Sequence, residues 1–114
     1  MKRLIIFFVA FIFTIILTSA APALNAPQIF EHDGCRGKSA TITYSISNLH
    51  DYGWGDNVSS CSVPEGWKLV FFEHTAYRGA TFTVTGSDIV YKFRDYGWND
   101  AVSSVKVYYR GVRQ

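Results

Sequence analysis

Apolar and polar residues alternate with a period of two along much of the chain beyond residue 27. Trp67, Leu69 and Phe71 occupy every second position of one run, and Val105 and Val107 do so in another. Such runs, rich in β-branched and aromatic residues and interrupted by Gly, Asn and Asp, favour short antiparallel strands. The predicted strands are Gln28–His32, Ser39–Ser45, Ser59–Val63, Trp67–His74, Ala80–Thr85 and Val102–Arg110.

The connections between these strands are short and polar. No segment beyond residue 27 has the period of a helix, although short turns are expected at Asn48–Tyr52 and Ile89–Phe93. Pro64, Glu65 and Gly66 predict a tight turn that joins two halves of the chain. Because this turn is too short for a flexible linker, residues 21–114 are expected to fold as a single all-β domain.

An internal duplication organises the predicted strands. Residues Asp51–Ser60 return as Asp95–Ser104 with eight identities, and Phe30–His32 returns as Phe72–His74. The two offsets are 44 and 42 residues, so the second copy has two extra residues between its blocks. A period near forty residues decides the architecture, because a unit this short buries a core only by packing against its neighbour.

Each copy has the order of a Greek key: a hairpin, an irregular loop and a returning strand. Two such units, about 27–64 and 67–110, predict a β-sandwich. Because aromatic side chains dominate burial, the aromatic residues repeated in the loops are expected to pack in or near the core. These residues are Tyr52, Trp54, Tyr96 and Trp98.

The first 20 residues have the composition of a secretory signal peptide. Lys2 and Arg3 precede an apolar run from Leu4 to Leu17, and small residues follow it. The run is shorter than the roughly 20 apolar residues of a spanning helix, so no stable membrane anchor is expected after cleavage. Cleavage is predicted after Ala20, with Ala23 as the second choice. The protein is therefore expected to be secreted, or periplasmic or cell-surface in a bacterium.

Removal of the signal changes the charge of the chain and the expected state of its cysteines. Without Lys2 and Arg3, nine basic and nine acidic residues remain. This balance gives no support to nucleic-acid binding, which needs a concentrated basic surface. In an oxidising compartment, Cys35 and Cys61 predict one disulfide. Free thiols and an intermolecular bridge are the alternatives.

The residues of the repeat resemble the Greek-key motif of βγ-crystallins from about Gln28 to Tyr109. The second copy is the better match, with Phe72–Gly79 followed by Asn99–Ser104. In non-lens members of that family, the sequence Asn/Asp-Asn/Asp-x-x-Ser/Thr-Ser marks a calcium-binding loop, and Asn99–Ser104 satisfies every position. In the first copy, Gly55 stands where Asn or Asp is expected.

The resemblance implies two calcium sites, each with a loop of one unit and hairpin backbone of the other. One set would be Asn99, Asp100, Ala101 and Ser103 with the backbone near Glu31. The other would be Gly55, Asp56, Asn57 and Ser59 with the backbone near Glu73. Because Gly55 has no side chain, the site of the first loop is the weaker prediction.

The residue types in the loops fit this chemistry on their own. Ca²⁺ takes 6–8 oxygen ligands, and each loop offers carboxylate, hydroxyl and amide or backbone oxygens without a thiolate. One carboxylate per loop predicts a modest dissociation constant, roughly 10⁻⁵ to 10⁻³ M. The alternative is that these residues only build turns, which Asp, Asn, Gly and Ser do by bonding to their own backbone.

Other chemistry is poorly supported by the sequence. His32 and His74 recur beside Glu31 and Glu73, but alternation along a strand is expected to put each pair on opposite faces, which argues against zinc. No hydrolase or phosphate-loop motif appears, and the duplicated serines have no repeated base, so no enzyme is expected. Asn57-Val58-Ser59 is a glycosylation sequon, and a glycan there would crowd the first loop.

The sequence therefore predicts a secreted, calcium-binding βγ-crystallin-like protein with one or two Ca²⁺ ions between its Greek-key units. One alternative is a protease inhibitor or antimicrobial toxin on the same fold, acting through the hairpin residues Arg36, Lys38, Tyr77 and Arg78. Another is a purely structural domain with vestigial calcium loops.

Overall fold

The computed structural model describes residues 25–114, and the predicted signal peptide lies outside them. Within these residues the backbone forms two antiparallel four-stranded sheets, in the orders β2-β1-β3-β6 and β5-β4-β7-β8. Over the same range, no helix is long and apolar enough to cross a membrane. The strands are β1 (Gln28–His32), β2 (Arg36–Thr41), β3 (Ser60–Val63), β4 (Trp67–His74), β5 (Arg78–Thr85), β6 (Asp88–Val90), β7 (Ser104–Tyr109) and β8 (Val112–Arg113).

The predicted all-β fold is confirmed, and the alternating runs mark its long strands. β1 and β4 have the predicted bounds, and β3, β5 and β7 differ from them by one or two residues at one or both ends. β2 lies closer to the hairpin turn than the predicted Ser39–Ser45. β6 and β8 were not predicted, because strands of three and two residues are too short to show an alternating pattern.

Each unit contributes a short segment to the sheet of the other unit. β6 belongs to the second half of the chain, yet its Val90 pairs with Cys61 of β3. In the first half, Ile46 forms a bridge to Val105 of β7. Both pairings recur at an offset of 44 residues, so the exchange is reciprocal. Each sheet therefore contains backbone from both Greek-key units.

One cluster of buried side chains from both sheets forms the core. Phe71 of β4 is fully buried, and its ring lies 5.2 Å from that of Phe93 and 6.4 Å from that of Phe82. The fully buried members are Ile29, Leu49, Val58, Cys61, Val63, Leu69, Phe71, Phe93, Val102, Val105 and Val107.

The repeated loop aromatics divide into two groups. Trp54 is buried and Trp98 packs half-buried against the core, as predicted. The expectation for the tyrosines is wrong, since Tyr52 is 57% exposed and Tyr96 is 61% exposed. Each tyrosine is the last residue of a four-residue 3-10 helix that inserts its first residue into the core. The rings therefore lie at the rim.

The predicted disulfide between Cys35 and Cys61 is absent from the structure, in which both are free thiols. Cys61 is fully buried in the core. The side chain of Ser60 points to the other face of β3, because successive side chains of a strand alternate. The Ser60 hydroxyl accepts a hydrogen bond from the Cys35 amide at 2.9 Å. The Cys35 backbone therefore lies on the face of the sheet that carries the Ser60 side chain, whereas the Cys61 thiol lies on the core face. The repeat alignment alone did not reveal this difference.

The buried thiol predicts a pH-dependent stability. Burial raises the pKa of Cys61 from 9.0 to about 12. Below pH 9 both the folded and the unfolded chain keep the proton. Above it the unfolded chain releases the proton first, so the free energy of unfolding should fall by up to ~1.4 kcal/mol per pH unit until about pH 12. Urea denaturation between pH 8 and 10.5 measures this fall, and Cys61→Ala should make it shallower. An unchanged slope in that variant would contradict the assignment.

Candidate metal centre

Each repeated block opens with a short 3-10 helix, Leu49–Tyr52 in the first unit and Phe93–Tyr96 in the second. Both helices end at a glycine with positive φ, 79° at Gly53 and 78° at Gly97, a conformation that favours residues without a Cβ. The tryptophan and a tight turn follow. The repeated sequence thus fixes two loops of the same shape, and these loops carry the predicted ligands.

The turn after each tryptophan contains a left-handed aspartate. Asp56 has φ 57° and Asp100 has φ 51°, a region that Asp and Asn tolerate better than most residues. Most of the predicted loop ligands are exposed, namely Asp56, Asn57, Asn99 and Asp100, while Gly55 and Ala101 are half-buried. The loops therefore offer their acidic and amide oxygens to the solvent side.

The last serine of each block fastens a hairpin and was not assigned a role from the sequence. The Ser60 hydroxyl donates to the His32 carbonyl at 2.6 Å and accepts from the Cys35 amide. In the second unit, the Ser104 hydroxyl donates to the His74 carbonyl at 2.6 Å and accepts from the Tyr77 amide at 3.1 Å. The repetition of this serine in both blocks was the available sequence signal for a role. Which role it has could be recognised only from the hairpin geometry.

The serine before it joins the two units. The Ser103 amide donates to the Phe72 carbonyl at 2.9 Å, and the Ser103 carbonyl accepts from the Leu49 amide of the first unit at 2.8 Å. The Ser59 amide donates to the Phe30 carbonyl at 2.9 Å, and its carbonyl accepts from the Phe93 amide of the second unit at 2.9 Å. Each of these serines therefore lies between its own hairpin and the helix of the other unit.

This arrangement changes the predicted grouping of loops and hairpins. Ser59 lies beside the hairpin strand that carries Glu31, and Ser103 lies beside the strand that carries Glu73. The sequence analysis had paired them the other way. A crossing between units is present, but it runs through the aspartate turn: the Asp56 amide donates to the Val102 carbonyl at 2.9 Å. The aspartate of one loop thus lies beside the serine run of the other.

The two penultimate serines differ in their side-chain partners. Ser103 is 6% exposed, and its Oγ lies 3.3 Å from Nε2 of His50. Ser59 is 9% exposed, and its hydroxyl has no hydrogen-bond partner among the described residues. A buried hydroxyl without a partner carries a desolvation cost, so Ser59 is the better candidate for an oxygen ligand.

His50 occupies the space beside Gly55. A Cβ built on Gly55 would overlap the imidazole ring of His50. In the second unit the corresponding residue is Asn99, whose side chain is exposed, and the counterpart of His50 is Arg94. The glycine of the first unit is therefore matched by a histidine that packs into the loop. No sequence signal indicated this role of His50.

The Glu–His pairs of the hairpins are closer than strand alternation suggested. Oε1 of Glu31 lies 3.7 Å from Nε2 of His32, and Oε1 of Glu73 lies 3.6 Å from Nε2 of His74. A register shift in each strand just before the histidine bends the backbone and brings the two side chains together. Both pairs are exposed. Across residues 25–114, no group of three or more His, Cys, Asp and Glu side chains is assembled for a metal.

The Beta/Gamma crystallin family model matches residues 27–108 of this chain. The chain belongs to the beta/gamma crystallin family. No curated protein sequence matches it. Solved structures of the family share the fold of this βγ-crystallin.

Three solved βγ-crystallins illustrate the likeness. A chain solved for the evolution of the eye lens beta-gamma-crystallin domain fold is 25% identical, with a TM-score of 0.72 over 79% of this chain and 91% of that one. A βγ-crystallin from Ciona intestinalis is 27% identical, with a TM-score of 0.63 over 77% and 98%. A βγ-crystallin domain from Clostridium beijerinckii is 29% identical, with a TM-score of 0.62 over 73% and 97%.

Proposed function

We propose that this βγ-crystallin is an exported binding protein that holds a Ca²⁺ ion between its two Greek-key units and is stabilised by it. The observation that carries the proposal is Ser59. The residue is nine-tenths buried, and its backbone joins the first hairpin to the helix of the second unit. Its hydroxyl has no hydrogen-bond partner among the described residues. A bound cation would stabilise a buried oxygen that has no hydrogen-bond partner.

The surrounding donors suit calcium in kind. Ser59 would supply a hydroxyl, Asp100 a carboxylate and Asn99 an amide oxygen, with a backbone carbonyl near Glu31 as a further ligand. These are the hard oxygen donors that Ca²⁺ prefers, and water completes its coordination of 6–8 oxygens. The Asp56 amide bonds to the Val102 carbonyl beside Ser103, and from the internal repeat we expect Asp100 to approach Ser59 in the same way. The bound ion would supply positive charge at that approach. Stabilisation follows by mass action, because the unfolded chain offers no assembled site.

The first loop supports a weaker site. Gly55 offers no side chain, and the hydroxyl of Ser103 is already engaged by His50. Asp56 and Asn57 would be its remaining side-chain donors, with the backbone near Glu73. An ion there must displace the imidazole from Ser103. We therefore propose one principal Ca²⁺ per chain and a second of lower affinity.

Calcium should raise the thermal midpoint of the mature chain. An ion at 100 times its dissociation constant adds about 2.7 kcal/mol, which corresponds to a rise on the order of 10 °C or more for a domain of this size. Thermal unfolding in EDTA and in millimolar CaCl₂ measures the rise, with MgCl₂ as the ionic-strength control. No shift at 10 mM calcium would remove the proposal and favour a structural domain with vestigial loops.

Substitution of the two equivalent aspartates tests which loop supplies the carboxylate of the principal site. Asp100→Ala should lower calcium affinity at least tenfold, while Asp56→Ala should leave the principal binding event within about twofold, because one carboxylate contributes roughly 1.4 kcal/mol or more to a site with few charges. Isothermal titration calorimetry on both variants gives affinity and stoichiometry. Equal losses in the two variants would show that the loops are equivalent and that His50 has no effect.

The rival role of a protease inhibitor or toxin draws less support from the hairpins. Nε of Arg36 donates to the Asp33 carbonyl at 3.1 Å, and Nε of Arg78 donates to the Thr75 carbonyl at 3.0 Å. These arginines are therefore engaged in closing their own turns. Export is a separate element of the proposal, and sequencing the N-terminus of the secreted product tests it; a start at Ala21 is expected.

A further inference from the structure

The two units differ at one position that faces the loop aromatics. Phe82 of β5 pairs with Phe71 of β4, and Ala40 of β2 pairs with Ile29 of β1 at the equivalent place in the first hairpin. Both pairs follow the offset of 42 residues. The first unit thus has a methyl group where the second has a benzyl group.

In the second unit, the Phe82 ring is held by aromatic neighbours. It stacks on Trp98 at 5.7 Å with an interplanar angle of 20°, and it meets Phe93 edge-on at 5.2 Å. Its other neighbour in the loop is Tyr96 at 5.3 Å. Pairs of rings at these distances contribute beyond simple burial. The second unit therefore shows how this fold accommodates one phenyl ring.

In the first unit, the same place is an open groove of about 210 Å³. Leu49, Tyr52 and Trp54, which correspond to the residues that hold the Phe82 ring, line it. Ala40 lines the position from which the missing ring would project. An apolar cavity of about 150 Å³ accepts a benzene molecule, so a groove of this size has room for a single ring.

We propose that this groove binds a phenylalanine side chain of a partner polypeptide. Two of the three walls that hold Phe82 keep an aromatic counterpart in the first unit, Tyr52 and Trp54, while Leu49 stands in place of Phe93. The retained stacking partner Trp54 favours an aromatic occupant over an aliphatic one. β2 is an edge strand of its sheet, so no further strand covers the approach to the groove. Tyr44 and Tyr52 line the groove and are 54% and 57% exposed.

The occupant is expected from another protein rather than from residues 25–114 of a second copy. Among residues 25–114 the exposed large apolar side chains are tyrosines, Ile89 and Val112, and no phenylalanine is exposed. The ammonium group of Lys38 lies over the Trp54 ring, 4.8 Å from its centre. This cation disfavours a partner with basic residues beside its phenylalanine. None of the residues that line the groove is a proposed calcium ligand, although the Leu49 amide bonds to the Ser103 carbonyl.

The test is an NMR titration of the mature protein in EDTA with a capped five-residue peptide, Gly-Gly-Phe-Gly-Gly, and its leucine counterpart. We expect saturable shifts at the Tyr52 and Trp54 side chains, with the phenylalanine peptide binding at least fivefold tighter. N-acetyl-phenylalanine amide is the small-molecule arm. Binding of the amide without the peptide would overturn the polypeptide partner. Equal binding of both peptides, or shifts elsewhere, would overturn the site.

Substitutions in and around the groove test where the phenylalanine ring of the peptide binds. Ala40→Phe should fill the groove and reduce peptide affinity at least tenfold, whereas Ala80→Phe, on an exposed position of β5, should leave it unchanged. Phe82→Ala should open the equivalent groove and give a second binding event near Trp98. If Ala40→Phe fails to fold, Tyr52→Ser removes an exposed wall and should still lower affinity at least threefold. Retained affinity in the folded variants contradicts the proposal.

Discussion

Replacing Phe93 by alanine should lower the free energy of unfolding by about 4 kcal/mol, the range seen for fully buried phenylalanines. Phe93 is completely buried, and its ring meets those of Phe71 and Phe82 edge-on, each at 5.2 Å. Its removal leaves a cavity between rigid aromatic neighbours that cannot all collapse into it. For a domain of this size, the thermal midpoint should fall by roughly 15–30 °C.

The Phe93→Ala substitution should weaken the proposed calcium binding as well as the stability of the core. The Phe93 amide donates to the Ser59 carbonyl, so the residue fixes the position of both the second helix and the serine proposed to bind calcium. Urea denaturation with and without calcium measures both effects. Tyr96→Ala, at the exposed end of the same helix, is the matched control and should cost less than about 1 kcal/mol, as surface substitutions usually do. Similar losses in the two variants would show that the helix does not anchor through Phe93.

Replacing Ser104 by alanine should cost about 2–3 kcal/mol although only one oxygen atom is lost. The Ser104 hydroxyl satisfies two backbone groups of the hairpin turn, the His74 carbonyl at 2.6 Å and the Tyr77 amide at 3.1 Å. Ser104 is fully buried, so its removal leaves both groups without their partner. Each buried polar group deprived of its partner costs about 1–3 kcal/mol.

The internal repeat supplies controls for this prediction. Ser60→Ala should have a similar cost, because Ser60 makes the same two bonds in the first hairpin. Ser59→Ala should cost less than about 1 kcal/mol in EDTA, since its hydroxyl has no partner among the described residues, and its cost should appear when calcium is added. Thermal unfolding of the three variants in EDTA and in calcium measures the pattern. Equal effects of Ser59→Ala and Ser60→Ala in EDTA would contradict these distinct roles.

The candidate site was predictable in its residues but not in its assembly. The repeated loops pointed to Asp100, Ser59 and their counterparts, because oxygen-bearing residues recurred at fixed spacing. Which loop meets which hairpin could not be read from spacing, since the contact between Ser103 and Phe72 joins residues from distant parts of the chain. The role of His50 also depended on packing, because the imidazole fills space that Gly55 leaves.

The pairing of the cysteines could not be read from the sequence for the same reason, because it depends on tertiary structure. Composition and a predicted export signal favoured a disulfide, and the repeat placed Cys35 and Cys61 opposite Tyr77 and Val105. Whether two residues can form a bridge depends on which face of the sheet each side chain takes. In the second unit, Tyr77 contacts the ring of Phe72, while Val105 is buried in the core, so the equivalent residues already lie on different sides.

The sequence by itself determined the all-β class, the two Greek-key units, most strand positions and the residue types of the two repeated loops. These follow from local alternation and from a repeat written directly in the chain. Only the tertiary structure decided the exchange of Ile46 and β6 between sheets, the separation of the two cysteines and the groove beside Ala40. The physical reason is that each of these depends on contacts between residues far apart in sequence, where short segments with no pattern of their own find their partners by packing.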